Sequence, residues 1–385
     1  MTGRVVAAHR LAGSAFRLAG IYAGSAGVVG SWAAVRGKSP WAGIHLFLAG
    51  TVLLVISGAA PLFVITWAAS RPPRPEVAAA QRWSLALGVG MVVVGVEAGW
   101  ETALVAGGVS VVSGLCLLGY MLVASIRRSL LRRFDLSTRF YLLALAGGMV
   151  GVTVGILLAL GVFESTYLRV RTVHLHLNLV GLVGLTIFGT LPTFLPTLAH
   201  HRMVSGVEAR VAWWAAAASV AAMVGGLVGG FEMVGWGTLG VAAAGAAIVT
   251  GILLRLGSRV VRNGLPPMQV LAGLVWLWGW LVVDGSGLIT GRPTPVFGRA
   301  TVAVVVAGVG QILLGSLTYL VPVVAGRGAV GVSKGRPGVA LAAANLAGLG
   351  LVLGWDWAWF LVGIWVWDFV DRVGRALIGR TEAHL

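Results

Sequence analysis

Charge is scarce in this chain. Only 10% of its 385 residues are Asp, Glu, Lys or Arg, against about a quarter in an ordinary soluble domain. That is too little polar surface to cover a water-facing globule, so the bilayer must serve as solvent. Acidic groups are rarest, with 12 Asp and Glu against 28 Lys and Arg. Cysteine is almost absent: Cys116 stands alone in an apolar run, which excludes a disulfide framework and a cysteine-based zinc site. It reads as a small core residue. No GxxxxGK[ST] string occurs, so there is no phosphate-binding loop. No basic segment stands apart from the apolar runs, so the net charge of +16 does not point to nucleic acid.

What the chain has is apolar length. It is 58% hydrophobic with 58 glycines, and its mean hydropathy is +0.94. Small residues let helix backbones approach closely in lipid. A spanning helix needs about 20 mostly apolar residues. Twelve such segments are expected near residues 18–35, 41–69, 82–99, 102–126, 138–163, 172–199, 209–229, 233–254, 268–288, 299–325, 337–354 and 357–375. Glu97, Gly99 and Glu101 divide the third from the fourth, and Asp368 and Asp371 interrupt the last. The first residues, with Arg4, His9, Arg10 and Arg17, read as the retained start of a membrane protein.

The basic residues fall into an alternating pattern. With both ends cytoplasmic, 22 of the 28 Lys and Arg lie inside. The six outside are Arg36, Lys38, Arg169, Arg171, Arg292 and Arg299. Such a bias is what the positive-inside rule expects of a multi-pass protein of the plasma (inner) membrane. Glu97, Glu101, Glu164, Glu232, Asp284 and Asp356 balance those six, and all are expected in loops or at helix ends. No separate soluble domain is left over.

The second segment reads HLFLAGTVLLVISGAAPLF from His45, and the sixth reads HLNLVGLVGLTIFGTLPTF from His176. Ten of these 19 positions are identical, among them His45/His176, Gly58/Gly189, Pro61/Pro192 and Phe63/Phe194. A weaker third copy aligns Gly189–Pro196 with Gly315–Pro322 and puts Val302 in the histidine position. The repeat unit is four helices used three times, approximately 1–130, 131–262 and 263–385. The fold expected is an all-α polytopic membrane bundle of about 12 helices in three pseudo-equivalent four-helix units. A major-facilitator transporter, whose halves repeat after six helices, does not fit.

The strings around residues 45–63, 174–196 and 311–322 resemble the haem–copper oxidase subunit I superfamily. Closest in kind is a divergent branch that includes NnrS-type proteins and the membrane region fused to copper nitrite reductases in some actinobacteria. The resemblance implies a haem or copper cofactor and a role in nitrogen-oxide response or electron transfer. It also implies a periplasmic or extracellular redox partner and a small gaseous ligand such as nitric oxide. The tenth and seventh segments, where oxidases place further haem and copper ligands, hold no histidine here. An oxygen-reducing centre is therefore not expected.

Seven histidines narrow the site. His9 and His384 read as solvated, and His200 and His201 as an interfacial basic pair beside Arg202. His45, His174 and His176 are the candidate metal ligands, because neutral imidazole binds iron, copper and zinc. Ionisable groups inside a span are functional candidates by default. The repeat singles out His45 and His176, with His174 an accessory, since residues two apart on a helix point about 200° apart. Asn178 is a candidate to orient a ligand, and Arg169, Arg171 and Arg299 are candidates to meet haem propionates. The competing reading is a metal-free transporter, channel or assembly subunit, with interfacial histidines bonded to carbonyls or lipid.

Overall fold

The computed structural model describes residues 3–129, 134–201, 206–292, 298–328 and 337–378, and no strand occurs among them. Among the described residues, twelve long helices follow one another, with a short helical turn at Arg259–Arg262 between the eighth and ninth: α1 (Gly3–Val35), α2 (Trp41–Trp67), α3 (Pro75–Glu97), α4 (Glu101–Arg127), α5 (Asp135–Ala159), α6 (Glu164–Leu198), α7 (Val207–Gly229), α8 (Phe231–Leu256), α9 (Leu265–Ile289), α10 (Arg299–Val324), α11 (Pro337–Leu353) and α12 (Ala358–Ile378). The first ten are long and apolar enough to cross a membrane, and α11 is a shorter apolar helix. The chain is a multi-pass membrane protein. His384, Arg132, Arg133, Arg202, Lys334, Arg336 and Arg380 lie outside the described residues.

Most predicted breaks hold. Gly99 adopts a φ of +66°, which glycine tolerates, and the Trp100 amide closes the turn onto the Gly95 carbonyl at 2.7 Å. Helix α12 runs unbroken through both of its aspartates. Arg372 bonds Asp368 at 2.6 and 3.0 Å, and Arg375 bonds Asp371, so each carboxylate is paired one turn along.

Further expectations need correction: Cys116, expected in the core, is exposed on α4. Helix α1 begins at Gly3, not near residue 18, and so takes in Arg4, His9, Arg10 and Arg17. Ala8, Leu11, Ala12, Ala15 and Ala19 recur every three or four residues and are buried; that periodic small face holds the helix together before its apolar stretch starts. Asp284, expected close to a helix end, lies in the last turns of α9 and is 2% exposed.

The repeat is structural. Helices α2, α6 and α10 each change from α to π winding at Leu46–Val52, Leu177–Gly184 and Val304–Gly310, then return to α. Pi turns are rare and mostly single, so three runs at matched positions give the three helices one shared local geometry. Each π segment packs on the first helix of its own quartet, α1, α5 or α9. The onset of the third places Ala303, rather than Val302, where His45 and His176 stand. The matched glycines share a purpose: a methyl at Gly58 would meet Ala15 Cβ at 2.8 Å, one at Gly189 would press on Phe140, and one at Gly315 would meet Gln269 Cβ at 2.9 Å. The three helices also end alike, with left-handed residues at Ala69, His200 and Gly326. His200 thus serves as a helix terminator.

The chain divides into two compact units, Met1–Gly189 with Ala216–Gly237, and Thr190–Ala215 with Thr238–Leu385. In the first, α3 and α4 form a hairpin so close that a methyl at Gly88 would stand 2.8 Å from the Gly107 carbonyl oxygen. In the second, Arg255 grips Glu208 with both terminal nitrogens. Trp276, Gln311 and Asn345 join α9, α10 and α11 through side-chain hydrogen bonds.

Candidate metal centre

Helix α2 opens on Trp41, and His45 closes its first α segment directly before the π turn. Its Nδ1 lies 2.8 Å from the Trp41 carbonyl oxygen. His176 occupies the same place in α6, with Nδ1 2.8 Å from the Thr172 carbonyl oxygen. A carbonyl only accepts, so in both rings Nδ1 carries the proton. In His45 this makes Nε2 the acceptor nitrogen, the arrangement usual for a metal-binding imidazole.

His174 turns another way. Its Nδ1 donates to the Gly151 carbonyl of α5 at 2.8 Å, again leaving Nε2 as the acceptor nitrogen. Asn178, one turn on, donates to the His174 carbonyl at 2.8 Å, and its Nδ2 stands 3.3 Å from the ring Nδ1. Two glycines of α5 make the seat. A methyl at Gly155 would stand 2.6 Å from His174 Nδ1, and one at Gly151 would stand 2.9 Å from Asn178 Cγ.

The ring found opposite His45 is that of His174. Their centroids are 6.3 Å apart and their planes differ by 16°. The Trp41 indole stacks on His45 at 4.2 Å. The repeat had selected His176 as the partner of His45, but His176 is 1% exposed and tied to its own helix. The about 200° turn between residues two apart separates it from His174. Among the described residues, no three His, Cys, Asp or Glu side chains gather in a group that could hold a metal ion. The predicted trio therefore does not converge, and a tetrahedral site of four protein ligands is not built from them.

The arginines divide as well. Arg171 lies one turn before His174 and sits over the Tyr167 ring at 5.3 Å. Arg169, like Arg171, is partly buried with its Nε unpaired among the described residues. Arg299 belongs to the second unit. Its guanidinium reaches the Leu353 carbonyl at 3.4 Å and lies against Gly354, where it complements the C-terminus of α11.

Sequence reasoning missed Trp41, Gly151 and Gly155 as site residues. Each left a signal: Trp41 precedes His45 by four residues, and the two glycines are four apart, so each pair shares a helix face. No protein-family model matches the chain, and no curated protein matches it either.

Proposed function

We propose that this membrane protein holds one haem iron or copper ion between His45 and His174 and serves nitrogen-oxide or electron-transfer chemistry without reducing oxygen. The observation carrying this reading is the ring pair itself: near-parallel imidazoles 6.3 Å apart, each with Nδ1 tied to a backbone carbonyl. His45 and His174 would be the residues that hold a haem iron or a copper ion. When bound, the ion would supply redox chemistry or take a small gas such as nitric oxide. The protein's part is to fix both ring tautomers and to shield His45 beneath Trp41. Arg169 and Arg171 would meet haem propionates.

The site would open outward if the 22-to-6 bias of basic residues sets the orientation. A periplasmic or extracellular redox protein could then approach it. The oxidase-like reading is supported by the sequence repeat that matches His45–Phe63 with His176–Phe194. Metal analysis and an optical spectrum of protein purified after expression with haem and copper supplied test the reading. About one ion or one haem per chain is expected; a colourless, metal-free protein would overturn it.

One observation favours a second reading. Helix α10 keeps its π segment with Ala303 in the histidine position, so the π winding does not depend on an imidazole. A metal-free transporter, channel or assembly subunit could use such turns mechanically.

A further inference from the structure

Helices α1 and α2 meet in a tightly built turn. Helix α1 ends where Gly37 turns left-handed, with a φ of +61°. The Lys38 amide donates to the Ala33 carbonyl at 2.8 Å and the Gly37 amide to the Ala34 carbonyl at 3.2 Å, the paired bonds of a Schellman stop. The Trp41 amide then donates to the Ser39 hydroxyl oxygen at 3.3 Å. A methyl at Gly43 would stand 3.0 Å from Gly30 Cα, so the two helices touch by backbone next to the turn. Trp41 is thereby fixed at the entrance to α2.

The two parts of Trp41 do different things. Its carbonyl oxygen holds His45 Nδ1 at 2.8 Å, a bond that any residue at this position could supply. Its indole stacks on the same imidazole, with 4.2 Å between centroids and 29° between planes. The indole is only partly buried, so one aromatic contact joins the protein surface to the ring that faces His174. The turn leading into it exposes Trp32, Val35, Arg36 and Lys38. Charged side chains in a turn between two spans stay out of hydrocarbon, so this edge meets water. Among the described residues neither base forms an ion pair, and no acid precedes Glu76 in the chain. Glu97 and Glu101 belong to the separate α3–α4 turn. The edge is therefore positive, with aromatic and aliphatic surface beside the charge, which suits contact with an acidic protein face.

We propose that the α1–α2 turn receives a one-electron carrier protein with an acidic face, and that the Trp41 indole carries the electron between that carrier and the ion at His45. This rests on the metal-centre reading given above. In the step the carrier loses one electron and the bound ion gains it, or the reverse; no bond forms or breaks and no proton moves. Arg36 and Lys38 steer the encounter, and Trp41 replaces a gap through solvent by ring-to-ring contact.

Charged small-molecule probes test this on the full chain. Protein loaded with haem or copper and reduced with ascorbate is mixed with ferricyanide, an anion, or with tris(phenanthroline)cobalt(III), a cation. Reoxidation of the ion is followed optically, and metal content is measured beside it. Arg36→Gln/Lys38→Gln should keep its ion, react severalfold more slowly with ferricyanide, and react no more slowly with the cobalt complex. High salt should erase the difference from wild type, since it screens exposed charge. Trp41→Leu keeps the backbone carbonyl, so it should keep its ion yet react more slowly with both probes. Unchanged ferricyanide rates in the charge variant, or unchanged rates with both probes in Trp41→Leu, at full ion content, would overturn the proposal and leave the metal centre standing. A wild type that binds no ion would overturn both. If Trp41→Leu loses its ion, the charge variant, which leaves His45 and Trp41 in place, decides alone.

Discussion

His174 covers bare backbone: its imidazole lies over Gly155 of α5, where a methyl would stand 2.6 Å from Nδ1. The ring cannot keep both that place and its bond to the Gly151 carbonyl once a side chain is added. Gly155→Ala should therefore expel His174 from its seat. We expect lost metal or haem loading and a stability cost of about 1–3 kcal/mol, the usual range for overpacking. Gly147→Ala is the matched control, since its methyl would meet Val220 Cγ1 at an ordinary 3.6 Å. Cofactor content and thermal unfolding of the two variants decide the point.

The matched glycines should separate in the same way. Gly58→Ala and Gly189→Ala press a methyl into the first helix of their quartets, and each should cost about 1–3 kcal/mol. Gly181→Ala should be nearly neutral, because its nearest neighbour is the His176 carbonyl oxygen of its own helix at 3.7 Å. Unfolding midpoints in one detergent check the ranking.

The amide cluster of the second unit predicts a non-additive pair. Asn345 accepts from Trp276 at 2.9 Å and exchanges bonds of 3.4 Å with Gln311. Asn345→Leu strands the indole N–H and half of the Gln311 amide, so it should cost about 1–3 kcal/mol. Adding Gln311→Leu removes one of the stranded partners. The double variant should then be more stable than the sum of the single losses implies, which a double-mutant cycle measures.

The helices were legible because apolar length is a coarse signal. Twelve runs and the break at Gly99 can be read without knowing any contact. The quartet repeat was legible for a different reason: Gly58, Gly189 and Gly315 all meet the first helix of their quartets at short range, so a larger residue would clash. The π segments were not legible, because apolar residues such as Leu46–Val52 pattern alike in α and π winding. The start of α1 was missed since Gly3–Arg17 is rich in arginine and alanine and reads as an arm. At the candidate site, His45 and His174 stood out as histidines in spans. Their pairing did not, because the repeat points along one helix position to His176, whereas the seat of His174 is made by glycines on α5.

The asparagine beside that seat yields a graded expectation. Asn178 donates to the His174 carbonyl at 2.8 Å, so Asn178→Leu removes one hydrogen bond between turns of α6. A net intramolecular hydrogen bond is worth about 0.5–1.5 kcal/mol. The variant should stay folded and keep its metal with modestly reduced affinity, which a chelator competition would read.

Three single variants compared side by side probe the ring pair most directly. Optical spectra and metal content are recorded for His45→Ala, His174→Ala and His176→Ala after identical loading with haem or copper. Loss of the bound ion or pigment in the first two, with retention in the third, is the expected pattern. Retention in both His45→Ala and His174→Ala, or loss only in His176→Ala, would contradict it.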